Sequence, residues 1–182
     1  MRKNYEISKK EVFMQKAVFL DRDGVINDNR MPVNKPQDFV FFPWTFEAVR
    51  MLNDAGFQVF VVTNQGGIEM GYFTHENLKD IHDSMLADFK INDIMIHGVA
   101  YCPHFKSKCE CRKPAPGMLL RLAKEHHIDL ETSYMVGDRD FDIEAGRRAG
   151  CKTIKLGAPY RNADYTVSNL LEAAKLIVST SK

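Results

Sequence analysis

The sequence predicts an α/β fold, a three-layer Rossmann-like arrangement in which a parallel sheet carries helices on both faces. Short apolar segments alternate with longer amphipathic ones along the chain, which is typical of parallel strands joined by helical crossovers. The chain has 182 residues, 45% of them hydrophobic, which is enough for one well-packed domain and few for two. We therefore expect a single domain over residues 1–182, with residues 1–15 as an N-terminal extension.

Hydrophobic periodicity predicts the first elements. The uninterrupted apolar run at residues 17–20 predicts a buried strand. A helix is predicted over residues 44–56, because apolar side chains recur there at helical spacing and Gly56 can close the last turn. Its apolar positions are Phe46, Val49 and Leu52. Residues 57–64, rich in β-branched and aromatic side chains, predict the second strand.

The middle of the chain begins with a predicted helix over residues 74–90. Thr74 is its predicted N-cap, but Asn77 stands where a capping box has Glu or Gln, so we predict an incomplete box. A third strand is predicted over residues 94–102 and a third helix over residues 115–128.

The last part of the chain repeats the same alternation. Residues 133–138 predict a strand, residues 140–150 a helix, and residues 151–157 another strand. A final amphipathic helix is predicted over residues 168–180, with Ser168 as its cap.

The charge balance and the short apolar runs argue against several classes of partner. Lys plus Arg number 25 and Asp plus Glu 24, so no excess of positive charge points to nucleic acid or to an anionic membrane. The first residues are basic but polar, and the apolar run at residues 17–20 is too short for a signal sequence or a membrane span. We expect a cytoplasmic monomer that binds a small-molecule ligand.

Polar side chains follow three of the predicted strands. Asp21 and Asp23 follow the first strand, Thr63 and Asn64 end the second, and Asp138 ends the fourth. Ligands of open parallel sheets bind beyond the carboxyl ends of the strands. We therefore expect these five side chains to converge at one edge of the sheet.

Two aspartates this close repel each other unless a cation lies among them, and Mg²⁺ prefers oxygen ligands. Asp21 and Asp138 are the predicted Mg²⁺ ligands, with the main-chain carbonyl near Asp23 completing the metal site. The carboxylate of Asp21 could then attack phosphorus, while Asp23 protonates the leaving oxygen and later deprotonates water. Thr63 and Lys113 would bind the phosphoryl oxygens.

Four stretches of the sequence resemble the motifs of the haloacid dehalogenase (HAD) superfamily of phosphohydrolases. These stretches are DRDGVIN, VVTNQ, CRKP and GDRDFD, in that order. The longer stretches CPHFKSKCECRKPAPGM and SYMVGD are similar to the heptose 1,7-bisphosphate phosphatases and the histidinol-phosphate phosphatases. The likeness covers residues 16–157. It implies a HAD fold without a large cap domain.

The resemblance also implies roles for individual residues. Asp21 would be the nucleophile and Asp23 the general acid and base. Asp142 would orient Lys113 or a metal-bound water. The remaining implied roles are phosphate binding by Thr63 and Lys113, Mg²⁺ binding by Asp21, Asp23 and Asp138, and substrate binding by Asn64, Gln65, Arg112 and Arg139.

Residues 102–113 carry the spacing of a zinc-binding loop. Its predicted ligands are Cys102, His104, Cys109 and Cys111, in the types and order of the zinc loop of the heptose bisphosphate phosphatases. Three thiolates and one imidazole form a closed tetrahedral shell, so the predicted zinc is structural. We expect it to stiffen the loop that carries Arg112 and Lys113.

The sequence departs from these relatives in stretches expected to contact the sugar. Only four residues separate His104 from Cys109, where some relatives have a longer insertion. Residues 28–33 are DNRMPV where the heptose enzymes tend to have Gly and Tyr, and Met70 stands where they tend to have Arg.

The predicted function is Mg²⁺-dependent hydrolysis of a small phosphorylated metabolite, heptose 1,7-bisphosphate first and histidinol phosphate as the alternative within the class. Two alternatives are not enzymes. A receiver domain also uses an acidic cluster with Thr and Lys, but it does not require an acid at the position of Asp23. A zinc-stabilised binding module is the other alternative, and the complete catalytic set argues against it.

Overall fold

The computed structural model describes residues 14–181; residues 1–13 of the predicted N-terminal extension lie outside this range. The strands are β1 (Ala17–Leu20), β2 (Gln58–Asn64), β3 (Gly98–Cys102), β4 (Tyr134–Gly137), β5 (Lys152–Leu156) and β6 (Tyr165–Val167). The helices are α1 (Thr45–Asp54), α2 (His75–Ile91), α3 (Gly117–His126), α4 (Asp140–Ala149) and α5 (Leu170–Thr180), with a 3₁₀ turn at Pro36–Asp38.

The six strands form one parallel sheet in the order β3-β2-β1-β4-β5-β6. Strand β1 lies at the centre of the sheet, with β2 and β3 on one side and β4, β5 and β6 on the other. In this topology the crevice beyond the carboxyl end of β1 is the expected ligand site. The predicted α/β class and the parallel sheet are confirmed.

The core has two parts, one on each face of the sheet. Val18 and Leu20 of β1 pack into the cluster formed with α1, α2 and α5, whereas Ala17 and Phe19 pack into the cluster formed with α3 and α4. All four side chains are fully buried. The run AVFL is therefore apolar throughout because both of its faces are covered.

Two strands differ from the sequence prediction. Strand β6 was not predicted, because three residues with polar flanks give no periodic signal. Strand β3 begins at Gly98 rather than at residue 94. Before Gly98, His97 forms two hydrogen bonds with Val59 of β2. The His97 N–H donates to the Val59 carbonyl at 2.7 Å, and the His97 side chain accepts the Val59 N–H through Nδ1 at 3.1 Å.

Two predicted helix caps need correction. The capping box of α2 is complete, because Asn77 Oδ1 accepts the Thr74 N–H at 3.0 Å and Thr74 Oγ1 accepts the Asn77 N–H at 3.1 Å. An amide side chain of Asn length is thus sufficient here. The cap of α5 is Asn169 and not Ser168, since Asn169 Oδ1 accepts the Glu172 N–H at 3.1 Å.

Within residues 14–181 the segment between β1 and α1 contains one 3₁₀ turn and isolated β-bridges among Asp23, Asn27 and Phe41. No large cap domain is inserted there. None of the helices in this part of the chain is both long and apolar enough to span a membrane.

Candidate active site

The predicted convergence of polar side chains occurs at the carboxyl ends of β1, β2 and β4. Asp21 follows β1, Thr63 lies near the end of β2, and Asp138 follows β4. Gly24 lets the turn after β1 pass close to Asp138, because a Cβ at this position would lie 2.5 Å from Asp138 Oδ2. Its φ of +87° is also in the left-handed region that favours glycine.

Lys113 connects two of the buried carboxylates. Its Nζ lies 2.9 Å from Asp21 Oδ1 and 2.7 Å from Asp142 Oδ1, and it donates to the Val62 carbonyl at 2.7 Å. The Lys113 and Asp142 side chains have no exposed surface. The ammonium group is therefore fixed beside the predicted nucleophile.

Burial and mutual repulsion shift the pKa values of the carboxylates at this site. Burial, followed by the charge of Asp142, raises the pKa of Asp21 from its usual 3.8 to about 7. Burial and the charge of Asp21 raise the pKa of Asp138. Although burial opposes it, the charges of Asp21 and Asp142 raise the pKa of Lys113, so this side chain remains a cation. Lys113 lies between Asp21 and Asp142, and the exposed Arg139 contacts Asp138, yet the carboxylates still raise one another's pKa. A bound metal ion would relieve this repulsion.

The residues present fit Mg²⁺. Asp21, Asp138 and Asp142 each present an oxygen within 4.8 Å of the others, and oxygen is the donor that Mg²⁺ requires. Asp138 Oδ1 is buried and has no hydrogen-bond partner, which is the expected state of an atom reserved for a cation. Asp142 was predicted as a positioning residue; the structure adds its carboxylate to this group.

The side chain of Asp23 is held by three neighbours. Arg22 Nη2 lies 2.9 Å from Asp23 Oδ2, Gln65 Nε2 donates to the same oxygen at 2.9 Å, and Asn27 Nδ2 donates to Oδ1 at 3.1 Å. Arg22 is only 1% exposed. Sequence reasoning missed Arg22 and Asn27, although a charged residue between the two aspartates of DRDG was a signal.

His82 lies behind Arg22, with its Nε2 3.3 Å from Arg22 Nη1. Burial, followed by the charge of Arg22, lowers the pKa of His82 to about 4. The imidazole is therefore neutral near pH 7 and can accept a hydrogen bond from the guanidinium.

The residues at the end of β2 connect different parts of the site. Gln65 Nε2 donates to Thr63 Oγ1 at 2.8 Å. Asn64 Nδ2 donates to the Lys113 carbonyl at 3.0 Å and Asn64 Oδ1 accepts the Lys113 N–H at 3.0 Å. The Asn64 amide thus fixes the Lys113 backbone, and substrate binding by Asn64 and Gln65 stays a prediction.

The two predicted substrate-binding arginines make different contacts. Arg112 Nη1 donates to the His104 carbonyl at 2.8 Å, and its guanidinium lies 5.4 Å from the Phe105 ring centre. Arg139 Nε lies 3.3 Å from Asp138 Oδ2, and its side chain is 60% exposed. Arg139 and Asp138 border an open cavity of about 640 Å³.

The four predicted zinc ligands lie together. Their donor atoms are all within 4.8 Å of one another. Cys102 Sγ lies 3.6 Å from Cys109 Sγ, 3.1 Å from Cys111 Sγ and 3.5 Å from His104 Nδ1. A tetrahedral zinc shell requires about 3.8 Å between sulfurs, so these residues fit zinc with a small expansion.

The raised pKa of Asp21 predicts how the metal-free protein responds to pH. Between 3.8 and about 7 the folded state binds more protons than the unfolded state, so the stability contribution of Asp21 falls as pH rises through this window. Asn at position 21 does not ionise, so it adds no pH-dependent contribution to stability. In EDTA, we expect the unfolding free energy of Asp21→Asn, relative to wild type, to increase by about 2 kcal/mol between pH 5 and pH 8. Urea unfolding at both pH values measures this, and an unchanged difference would contradict it.

Comparison with known proteins identifies similar sequences. Residues 110–173 match the HAD-hydrolase-like family. The D-glycero-beta-D-manno-heptose-1,7-bisphosphate 7-phosphatase of Pasteurella multocida is 36% identical over 179 residues, which is 90% of this chain and 97% of the relative. The corresponding alpha-heptose enzyme of Campylobacter jejuni is 41% identical over 141 residues, which is 78% of this chain and 81% of the relative.

A solved structure has the same fold. The D,D-heptose 1,7-bisphosphate phosphatase from B. bronchiseptica, crystallised with magnesium and phosphate, superposes with a TM-score of 0.84 at 28% identity. The match covers 91% of this chain and 99% of that one.

Proposed function

Because this chain belongs to the D-glycero-D-manno-heptose-1,7-bisphosphate 7-phosphatases of the HAD superfamily, we propose that it removes the 7-phosphate of heptose 1,7-bisphosphate. The observation that carries the proposal is the buried arrangement of Asp21 beside Lys113, with Asp138 and Asp142 adjacent. This arrangement provides a carboxylate nucleophile, a fixed cation and a set of oxygen donors in one place.

In the proposed reaction Asp21 attacks phosphorus, and the bond between phosphorus and the leaving oxygen breaks. An aspartyl-phosphate on Asp21 results. Lys113 balances the negative charge that develops on the phosphoryl oxygens, and Thr63 Oγ1 binds one of them. Asp21 and Asp138, with the Asp23 carbonyl, would hold Mg²⁺, and the Asp142 carboxylate lies in the same group. The ion would supply charge screening between the Asp21 carboxylate and the incoming phosphate. Asp142 positions Lys113.

Asp23 has the proposed role of acid and base. It donates a proton to the leaving oxygen and then takes one from the water that hydrolyses the aspartyl-phosphate. Arg22, Gln65 and Asn27 hold its carboxylate in one orientation. Holding the carboxylate in one orientation lowers the entropic cost of reaching the reactive geometry.

Zinc at Cys102, His104, Cys109 and Cys111 is proposed to be structural, because four protein ligands leave no position for substrate.

We expect Cys109→Ala to lose bound zinc and to raise KM about tenfold, with a smaller effect on kcat, because Asp21 and Asp138 lie outside the loop. Metal analysis together with steady-state kinetics measures this. Cys151→Ala is the matched control, since Cys151 is a free cysteine that does not belong to the group of four predicted zinc ligands. A loss of kcat as large as that of Asp21→Asn would indicate a catalytic zinc instead.

A substrate panel tests the proposed function. With Mg²⁺ present, both anomers of heptose 1,7-bisphosphate, fructose 1,6-bisphosphate, histidinol phosphate and several nucleotides are compared by phosphate release. We expect the highest kcat/KM for one heptose anomer. A higher value for histidinol phosphate would favour the alternative within the class, and no release from any compound would favour the receiver or binding-module alternatives.

We also propose that the chain acts as a cytoplasmic monomer. The zinc site requires reduced thiolates, and the four cysteines are free. All of the proposed site residues come from one chain, so no second copy is required for activity.

A further inference from the structure

Glu69 lies outside the proposed machinery but binds the tip of the zinc loop. Its carboxylate accepts hydrogen bonds from three consecutive backbone N–H groups, those of Phe105, Lys106 and Ser107, and from the Ser107 hydroxyl. The distances to the Lys106 and Ser107 nitrogens are 2.9 and 3.1 Å. One carboxylate thus closes a turn whose N–H groups would otherwise face solvent.

Glu69 is ionised, which suits a side chain that accepts several hydrogen bonds. The Ser107 hydroxyl, followed by the Phe105 N–H, lowers the pKa of Glu69 to about 2. The side chain is therefore a carboxylate at neutral pH. Hydrogen bonds to an ionised acceptor are shorter and stronger than those between neutral groups.

The tip of the loop in turn contacts Arg112. The His104 carbonyl, which precedes the tip, accepts from Arg112 Nη1 at 2.8 Å, and the Phe105 ring lies 5.4 Å from its guanidinium. The Gly66 backbone packs against the same region, since a Cβ at Gly66 would lie 3.1 Å from both Arg112 Nη1 and Phe105 Cβ. Contacts therefore run without a gap from Glu69 through residues 104–107 to Arg112.

We propose that Glu69 is a positioning residue, which fixes the tip of the zinc loop and through it the direction of the Arg112 side chain, next in sequence to Lys113. The proposal rests on the proposed function for the part that concerns substrate. The four ligands fix the base of this loop, whereas the stretch between His104 and Cys109 contains no ligand and needs a second point of attachment.

The loop can be tested without substrate. Hydrogen–deuterium exchange of peptides covering residues 104–108 is compared in wild type, Glu69→Ala, Glu69→Gln and Glu131→Ala. Glu131 is an exposed glutamate near α3 and is the matched control. We expect about tenfold faster exchange in Glu69→Ala, an intermediate rate in Glu69→Gln and the wild-type rate in Glu131→Ala. Unchanged exchange in Glu69→Ala would overturn the proposal.

Kinetics test the connection to Arg112. With heptose 1,7-bisphosphate, we expect Glu69→Ala to raise KM about tenfold and to change kcat less than about threefold. In an Arg112→Ala background the same substitution should have little further effect, because the group that it positions is gone. Full additivity of the two substitutions would overturn the positioning role. If wild type does not hydrolyse this substrate but Glu69→Ala still exchanges faster, the proposed function fails and the fixing of the loop by Glu69 stands.

Discussion

Asp21→Asn is expected to lower kcat for phosphate release by roughly 10⁴-fold or more. The amide cannot form the aspartyl-phosphate, whereas Lys113 remains in place to bind the phosphoryl oxygens and Asp138 and Asp142 keep their own roles. The side chain is buried and lies 2.9 Å from Lys113 Nζ, so a near-isosteric replacement keeps the packing. Steady-state phosphate release with Mg²⁺ measures the effect.

Asp88→Asn is the matched control for this substitution, because Asp88 is exposed on α2. We expect it to keep wild-type kcat and KM. Residual turnover of Asp21→Asn within about tenfold of wild type would mean that another group attacks phosphorus.

Lys113→Met is expected to affect both activity and stability. The ammonium group is fully buried between Asp21 and Asp142, and removal of one member of a buried ion pair leaves uncompensated charge. We expect a loss of about 3–5 kcal/mol in unfolding free energy and a fall in kcat of about 10²–10³-fold. Urea unfolding in EDTA and kinetics with Mg²⁺ measure the two effects.

A double variant separates these effects. Adding Asp142→Asn to Lys113→Met removes one of the two unpaired charges, so we expect part of the stability to return while kcat stays low. Wild-type kcat in the double variant would show that Lys113 serves only to neutralise Asp142.

The main features of the fold were predictable from the sequence because parallel strands leave a strong signal. The run at residues 17–20 is apolar on both faces, and its side chains fill both parts of the core. Strand β6 escaped prediction because Tyr165–Val167 lies at the sheet edge and is only partly covered. Edge strands of three residues carry too little hydrophobic pattern to be recognised.

The candidate site was predictable where a motif places the residue directly after a strand, as for Asp21 and Asp138. The supporting contacts were not. Arg22, Asn27 and Gln65 meet at Asp23 only after the turn and β2 are in place. The contact of Glu69 with the zinc loop joins positions 36 to 38 residues apart, and nothing in the local sequence indicates which loop an exposed glutamate will bind.

The central claim is that Asp21 carries the phosphoryl group during turnover. The most direct measurement is acid quenching within the first turnover of heptose 1,7-bisphosphate, followed by mass spectrometry of the peptide that contains residues 17–27. The account predicts a phosphoryl group on Asp21 that appears and decays at rates consistent with kcat, and none in Asp21→Asn. Phosphate release with no phosphorylated peptide, or with the phosphoryl group on another residue, would contradict it. A phosphoryl group on Asp21 that persists after the substrate is consumed would instead identify a receiver.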